Sequence, residues 1–220
     1  MRATSRVPRF SGPTSLSTEQ ERIRDGIVAS RPHTGLAGPF GPWLAIPAIA
    51  EPAQALGKAC RYGTSLSLQE SELVILLTAA KTQSDAEFDI HATEAIRAGW
   101  TVDFVETIRR CTGGNNDDDD EEEEEENGSV VFCKSVVLDS LRPFVVDSMR
   151  LMALLDFTAE LLECSTVSDR TYSSTREALG GNDAVLVEVV SIVGYYTMVA
   201  YTLNVFNLPS RVDQTVQPTG

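Results

Sequence analysis

The sequence predicts an all-α protein, and three observations carry that expectation. Ser17 with Gln20, and Ser67 with Glu70, have the spacing of reciprocal capping boxes that start helices. Behind the second of them, Leu73, Leu76, Leu77 and Ala80 return at three- and four-residue intervals, which keeps them on one helical face. Strand-length alternation is missing throughout, with residues 130–132 the only short exception.

Taken in order, residues 1–15 read as a flexible arm. They carry arginines without an apolar stretch behind them, which argues against a secretion signal and fits a transit peptide only in part. After Ser17, EQERIRDGIVAS places Ile23, Ile27 and Val28 on one face. Glycine and proline crowd residues 38–42, so a loop is expected there, anchored by Phe40 and Trp43. Residues 45–57 suit a short helix with Pro47 in its first turn. A helix follows Ser67, the next covers residues 87–95 and stops near Gly99, and Thr101 caps another through Arg110, with Phe104, Val105 and Ile108 inward.

Beyond Arg110 the pattern changes. CTGGNNDDDDEEEEEENGS repels itself and has no apolar group to bury, so it is expected to be a solvated, disordered spacer. The next stretch, VVFCKSVVLDSLRPFVV, is β-branched and ambiguous, and Pro143 is expected to break any helix in it. Helical patterning resumes in DSMRLMALLDFTAELLE, again behind Ser168 up to Gly180 and Gly181, and finally over residues 184–206, capped by Asn182 or Asp183 and closed by Pro209. Seven to nine helices are expected, in one domain over residues 16–209. An acidic insertion at 111–146 interrupts that domain, and a flexible tail follows at 210–220.

Charge excludes one class of partner. The net charge is −14, but ten of the 32 acidic residues form the unbroken run at 117–126. Removing that run leaves 22 acids against 18 bases, or −4, so no basic surface remains for nucleic acid. The four cysteines form no CxxC pair, which points to reduced thiols and a cytoplasmic protein. Residues 184–206 are long enough to cross a membrane. However, they contain Glu188, Ser191, Asn204 and two threonines and lack a basic flank, so a helix buried on all sides is expected instead, with no membrane contact.

One stretch carries candidate chemistry. In EFDIHATEA, Glu87 and His91 lie four apart and Glu94 follows one turn later. A carboxylate beside an imidazole favours the protonated ring and fixes its tautomer, which makes an acid or base usable near neutral pH. The same spacing also occurs in exposed ion pairs, and from spacing alone that reading leads. No metal site is expected, since one histidine with two glutamates lacks a third strong ligand and His33 is distant in the chain.

The stretch SELVILLTAAKTQSDAEFDIHATEAIRAGW resembles the core motif of the carboxymuconolactone decarboxylase family, related to the alkylhydroperoxidase AhpD proteins. GPFGPWL, RYGTSL, VSDRTY and GYYTMVAYTLNVFNLP resemble its flanking segments, so the likeness covers roughly residues 7–110 and 147–209. In the family's redox members a glutamate precedes a Cys-x-x-Cys pair and a histidine. Here Glu72 and His91 fall on the outer positions, while Ser84 and Glu87 fall on the cysteines. The Glu87-Phe88-Asp89-Ile90-His91 run matches the decarboxylase-like branch.

The resemblance implies an AhpD-like helical fold and a cofactor-free reaction on a small carboxylated lactone or related ring. It implies His91 as proton donor or acceptor, Glu87 as the group orienting it, and Glu72 in the same pocket, unless Glu72 merely satisfies a helix end. Arg61 would hold a spectator carboxylate or else bridge acids between helices. The loop ending at Trp43 would wall the pocket, and Tyr195 or Tyr196 would lend a hydroxyl unless both are simply core. The family's trimers and hexamers imply a homo-oligomer. Two rival expectations stand beside this. A peroxidase is disfavoured because serine and glutamate replace the redox pair. The other is a non-catalytic helical oligomer whose acidic loop recruits basic partners.

Overall fold

The centre of the molecule is a helix whose middle ten residues have no outward face. In the computed structural model, which describes residues 16–30, 36, 38–113 and 132–209, every residue from Glu70 to Ala79 is buried. Leu73, Val74, Ile75, Leu76 and Leu77 form an unbroken apolar run, so the helix presents apolar surface all round and must be covered all round. Nine further described helices pack about it, directly or through one another. Among the described residues there is no strand, and the all-α expectation holds.

The helices in chain order are α1 (Thr18–Ser30), α2 (Phe40–Leu44), α3 (Pro47–Tyr62), the central α4 (Leu68–Lys81), α5 (Asp85–Arg97), α6 (Val102–Cys111), α7 (Lys134–Val145), α8 (Met149–Cys164), α9 (Asp169–Ala178) and α10 (Asp183–Phe206). α4 is sheathed chiefly by α5, α10 and α8. α3 leans on α10, and α1 and α2 pack on α3, while α6, α7, α8 and α9 pack as a successive series.

Local chemistry sets most of these boundaries. Ser17 and Gln20 bond reciprocally at 2.9 and 3.2 Å, as do Ser67 and Glu70 at 2.8 and 3.2 Å. Glu70 does a second job: its Oε1 accepts from Arg150 Nε at 2.6 Å and ties α4 to α8. Gly99 ends α5 with φ +105°, a conformation that a side chain would strain. Asn207 closes α10 in the left-handed region, two residues before Pro209.

Four expectations need correction. Residues 38–42 are not wholly irregular, because α2 starts at Phe40. Its Pro42 sits in the first turn, where the missing N–H has no intrahelical partner to lose. α3 extends to Tyr62, five residues beyond the expected end. Pro143 does not break α7, since it falls in the last turn and deprives only the exposed Asp139 carbonyl, which water can satisfy. Lastly, it is α4 that is buried on every side, whereas α10 keeps an exposed face.

The α7 result also narrows the expected insertion. Val137, Leu138, Leu141 and Val145 are buried, and α7 packs on α6 and α8, so residues 132–146 belong to the folded domain. The acidic run, residues 130 and 131, the arm at 1–15 and the tail at 210–220 lie outside the described residues. Glu160 anchors this half. Its carboxylate accepts from Thr171 Oγ1 at 2.7 Å, Lys134 Nζ at 2.9 Å and Ser168 N–H at 2.7 Å, joining α7, α8 and α9. These bonds, Thr171's first, hold its carboxyl down at about 2.

A carboxyl depressed in the folded state contributes stability above its unfolded pKa and loses it as pH falls. Glu160→Gln is therefore expected to lower stability at pH 7 by about 1–3 kcal/mol. It should also flatten the loss of stability between pH 5 and pH 2 in urea titrations. An unchanged acid limb would show that Glu160 does not anchor these helices.

Candidate active site

α4 and α5 run side by side and bring three ionisable groups together. Glu72 lies in the second turn of α4 and is only 1% exposed. Glu87 and His91 lie one turn apart on the buried face of α5, with His91 6% exposed. The pair is therefore internal, and the exposed ion-pair reading of its spacing is overturned.

Both nitrogens of the imidazole are engaged. Nδ1 lies 2.7 Å from Glu72 Oε2, and Nε2 lies 3.1 Å from Glu87 Oε1. A ring bonded to carboxylates at both ends must donate at both ends, which is the imidazolium. Burial pushes its pKa down, but hydrogen bonds and charge from Glu72 and Glu87 outweigh that and raise it to about 9. Burial likewise pushes the Glu72 carboxyl up, and His91 and Arg61 together bring it below the usual carboxylate range. At neutral pH His91 is thus a held proton donor rather than a base.

Arg61, near the end of α3, completes the cluster. Its Nη1 donates to Glu72 Oε1, and its Nη2 donates to Glu94 Oε2 at 3.2 Å. Arg97 pairs with the other oxygen of Glu94. Two cations, Arg61 and His91, share the single carboxylate of Glu72, with Nη1 3.4 Å from Nδ1. Three acids thus face three bases. Glu72 does not satisfy a helix end, because its partners are side chains of α3 and α5. Arg61 takes the bridging position of its two expected roles, with both terminal nitrogens directed at the protein's own carboxylates.

Aromatic rings roof the cluster. Tyr196 stands edge-on to His91 at 5.0 Å between ring centroids. Tyr195 lies 5.2 Å from Tyr196, Trp43 6.1 Å from Tyr195 and Phe40 5.8 Å from Trp43. Trp43 is fixed by its indole N–H, which donates to Thr202 Oγ1 at 3.0 Å. Burial, opposed by Arg61, holds the Tyr196 phenol well above its ordinary pKa, so it stays protonated. All seven residues singled out in the sequence therefore meet in one connected cluster: His91, Glu87, Glu72, Arg61, Trp43, Tyr195 and Tyr196.

Sequence reasoning did not include Glu94 as a partner of Arg61, although its place one turn beyond His91 was the available signal. Nor did it foresee Gly57. A Cβ there would lie 2.1 Å from the Tyr195 hydroxyl oxygen, so only glycine lets α3 approach α10 with Tyr195 in place. Ser84, at the N-cap of α5, is buried, and its Oγ has no hydrogen-bond partner among the described residues. Among the described residues no group of histidine, cysteine and acidic side chains has the arrangement of a metal site.

No model of a known protein family matches this chain, and a comparison with curated proteins finds no match.

Two outcomes follow from this geometry. A histidine whose folded pKa exceeds its unfolded value stabilises fully below about pH 6.5, and loses that contribution as pH rises through about 9. The contribution is about 3 kcal/mol. Urea titrations should show stability falling across that window in the parent and not in His91→Gln, and a flat parent profile would contradict the clamp. Gly57→Ala is expected to cost about 1–3 kcal/mol and to alter the near-ultraviolet circular dichroism of the displaced Tyr195. Parent-like values in both would refute the close contact.

Proposed function

We propose that the chain is a carboxymuconolactone decarboxylase-like enzyme, a cofactor-free lyase or isomerase acting on a small carboxylated lactone or related ring in the cytoplasm. The observation supporting this most is the buried imidazolium clamped between Glu72 and Glu87, in the frame where the family resemblance puts the reacting histidine. When the carboxylate leaves as carbon dioxide, its bonding electrons move through a C=C bond towards the lactone carbonyl. The reaction then needs an oxyanion stabiliser and a proton delivered to carbon.

The proton leaves from Nε2. That nitrogen makes the longer of the two carboxylate contacts, 3.1 Å against 2.7 Å, so substrate competes with Glu87 more easily than with Glu72. Glu72 and Arg61 fix the other edge of the ring. The Tyr196 hydroxyl, protonated at all working pH, is the donor to the developing oxyanion. A homo-oligomer, trimer or hexamer, belongs to this reading through the resemblance.

A second reading rests on one specific observation. Both imidazole nitrogens and both Arg61 terminal nitrogens are already occupied by the protein's own acids, as in a purely structural charge lock. A peroxidase has less support. Cys60, next to Arg61, is buried, and burial holds its thiol above its usual pKa, opposite to what an attacking thiolate needs.

The experiment is turnover of carboxymuconolactone and related carboxylated lactones, followed by carbon dioxide release and by deuterium uptake from heavy water. His91→Gln, checked for fold by circular dichroism, is expected to lose about 10²–10⁴-fold in rate. A parent-like rate in that variant removes His91 from the chemistry. No turnover of any of these compounds by the parent leaves the charge lock as the better account.

A further inference from the structure

We propose that Ser84 is a positioning residue for His91: its hydroxyl holds the Glu87 carboxylate whenever that carboxylate leaves the imidazole. Glu87 then has two seats, one on His91 Nε2 and one on Ser84 Oγ, and the second opens the ring to a ligand. The use of this movement in turnover rests on the reading above, but the movement itself does not.

Three helices begin with serine three residues ahead of a glutamine or glutamate: Ser17 with Gln20, Ser67 with Glu70 and Ser84 with Glu87. The first two pairs close as reciprocal boxes. The third stays open. Ser84 is the N-cap of α5, yet its side chain makes no cap bond, and Glu87 is spent on His91 Nε2 at 3.1 Å. Ser84 Oγ consequently has no hydrogen-bond partner among the described residues, in a residue only 1% exposed. A buried hydroxyl left in that state costs stability and is exceptional in a folded protein.

Ser84 is nonetheless firmly seated. Its N–H donates to Ala79 O at 3.0 Å, and its carbonyl accepts from Phe88 N–H at 2.9 Å. Asn204 of α10 holds the preceding turn, donating from Nδ2 to Thr82 O at 3.0 Å. The N–H that a closed box offers to its glutamate is thus already taken, and the hydroxyl is the one donor Ser84 has left.

Glu87 is placed to reach it. Ser84, Glu87 and His91 follow one another at intervals of three and four residues, all buried, so Glu87 lies between its two seats. A glutamate at the third helical position reaches back to the N-cap in any closed box. Helical side chains lean towards the N-terminus, so turning from His91 to Ser84 follows that lean. The carboxylate keeps a donor on arrival, and the positive end of the α5 dipole replaces part of the charge it leaves. Glu72, held by Arg61, keeps Nδ1 meanwhile, so the ring does not turn. A ligand taking Nε2 therefore moves Glu87 onto a waiting donor instead of stranding a buried charge.

Proton exchange with water reads the movement, because the Nε2 proton is released only while Glu87 is away. In histidine-labelled protein at pH 7, Ser84→Ala is expected to slow exchange of the Nε2 proton at least about threefold. The Nδ1 proton, held by Glu72, should exchange as in the parent. A serine that merely supports the fold predicts the reverse, since its loss would loosen the helix and speed exchange at both nitrogens.

Urea titrations supply the second measurement. His91→Asn keeps an amide N–H near the Nδ1 position for Glu72 and leaves Glu87 without Nε2. Ser84→Ala should not lower the midpoint of the parent, and should lower it in the His91→Asn background, where Glu87 sits on Ser84. Unslowed Nε2 exchange overturns the proposal, as does a Ser84→Ala effect on the midpoint that is equal in the two backgrounds. The exchange result decides alone if His91→Asn does not fold. Neither measurement involves a substrate, so a chain that turns over no lactone loses the reaction and keeps this movement.

Discussion

The structure turns on an ionised ring that is almost wholly withdrawn from water. Isolated, an imidazolium buried beneath Tyr196 would shed its proton, because desolvation penalises the charged form. Glu72 and Glu87 prevent that by taking one N–H each. The solution imposes its own demands. Glu72 is more deeply buried than the ring it serves, and it is tolerable as a charge because Arg61 reaches it from a third helix. Three helices are thereby fixed to one another by charges that are costly to separate, since removing one partner of a buried pair strands the other.

This arrangement accounts for features far from the ring. α4 has to be buried on all sides to shield Glu72, which explains its unbroken apolar run from Leu73 to Leu77. α3 has to come close enough for Arg61 to arrive, and Gly57 permits that approach by yielding space to Tyr195. The aromatic series from Phe40 to Tyr196 then closes the top of the cluster. A proton held this firmly is well stored and slow to leave spontaneously, so chemistry at His91 requires a ligand that displaces Glu87.

Much of this was legible in the sequence because it is local. Capping boxes at Ser17 and Ser67, the cap at Thr101 and the stop at Gly99 depend on neighbours within four residues, and each appears as expected. The gathering of Glu72, Glu87 and His91 was legible through a spacing that helices convert into proximity. What stayed hidden was tertiary. Pro143 reads as a breaker until the last turn of α7 and the exposed Asp139 carbonyl show that little is lost. The bridging of Glu94 by Arg61 spans 33 residues between separate helices, and no local pattern announces it. The state of His91 depended on counting two acids rather than one, which turns a near-neutral titrating group into a persistent cation.

The most direct measurement is the protonation state of that ring. Only two histidines are present, so nitrogen chemical shifts of the imidazoles in a labelled sample, followed from pH 5 to pH 10, separate His91 from His33 by a single substitution. Two protonated nitrogens on His91 persisting up to about pH 9 are the expected result. A ring that titrates at or below 6.5, the ordinary value for histidine, would contradict the clamped imidazolium and everything drawn from it.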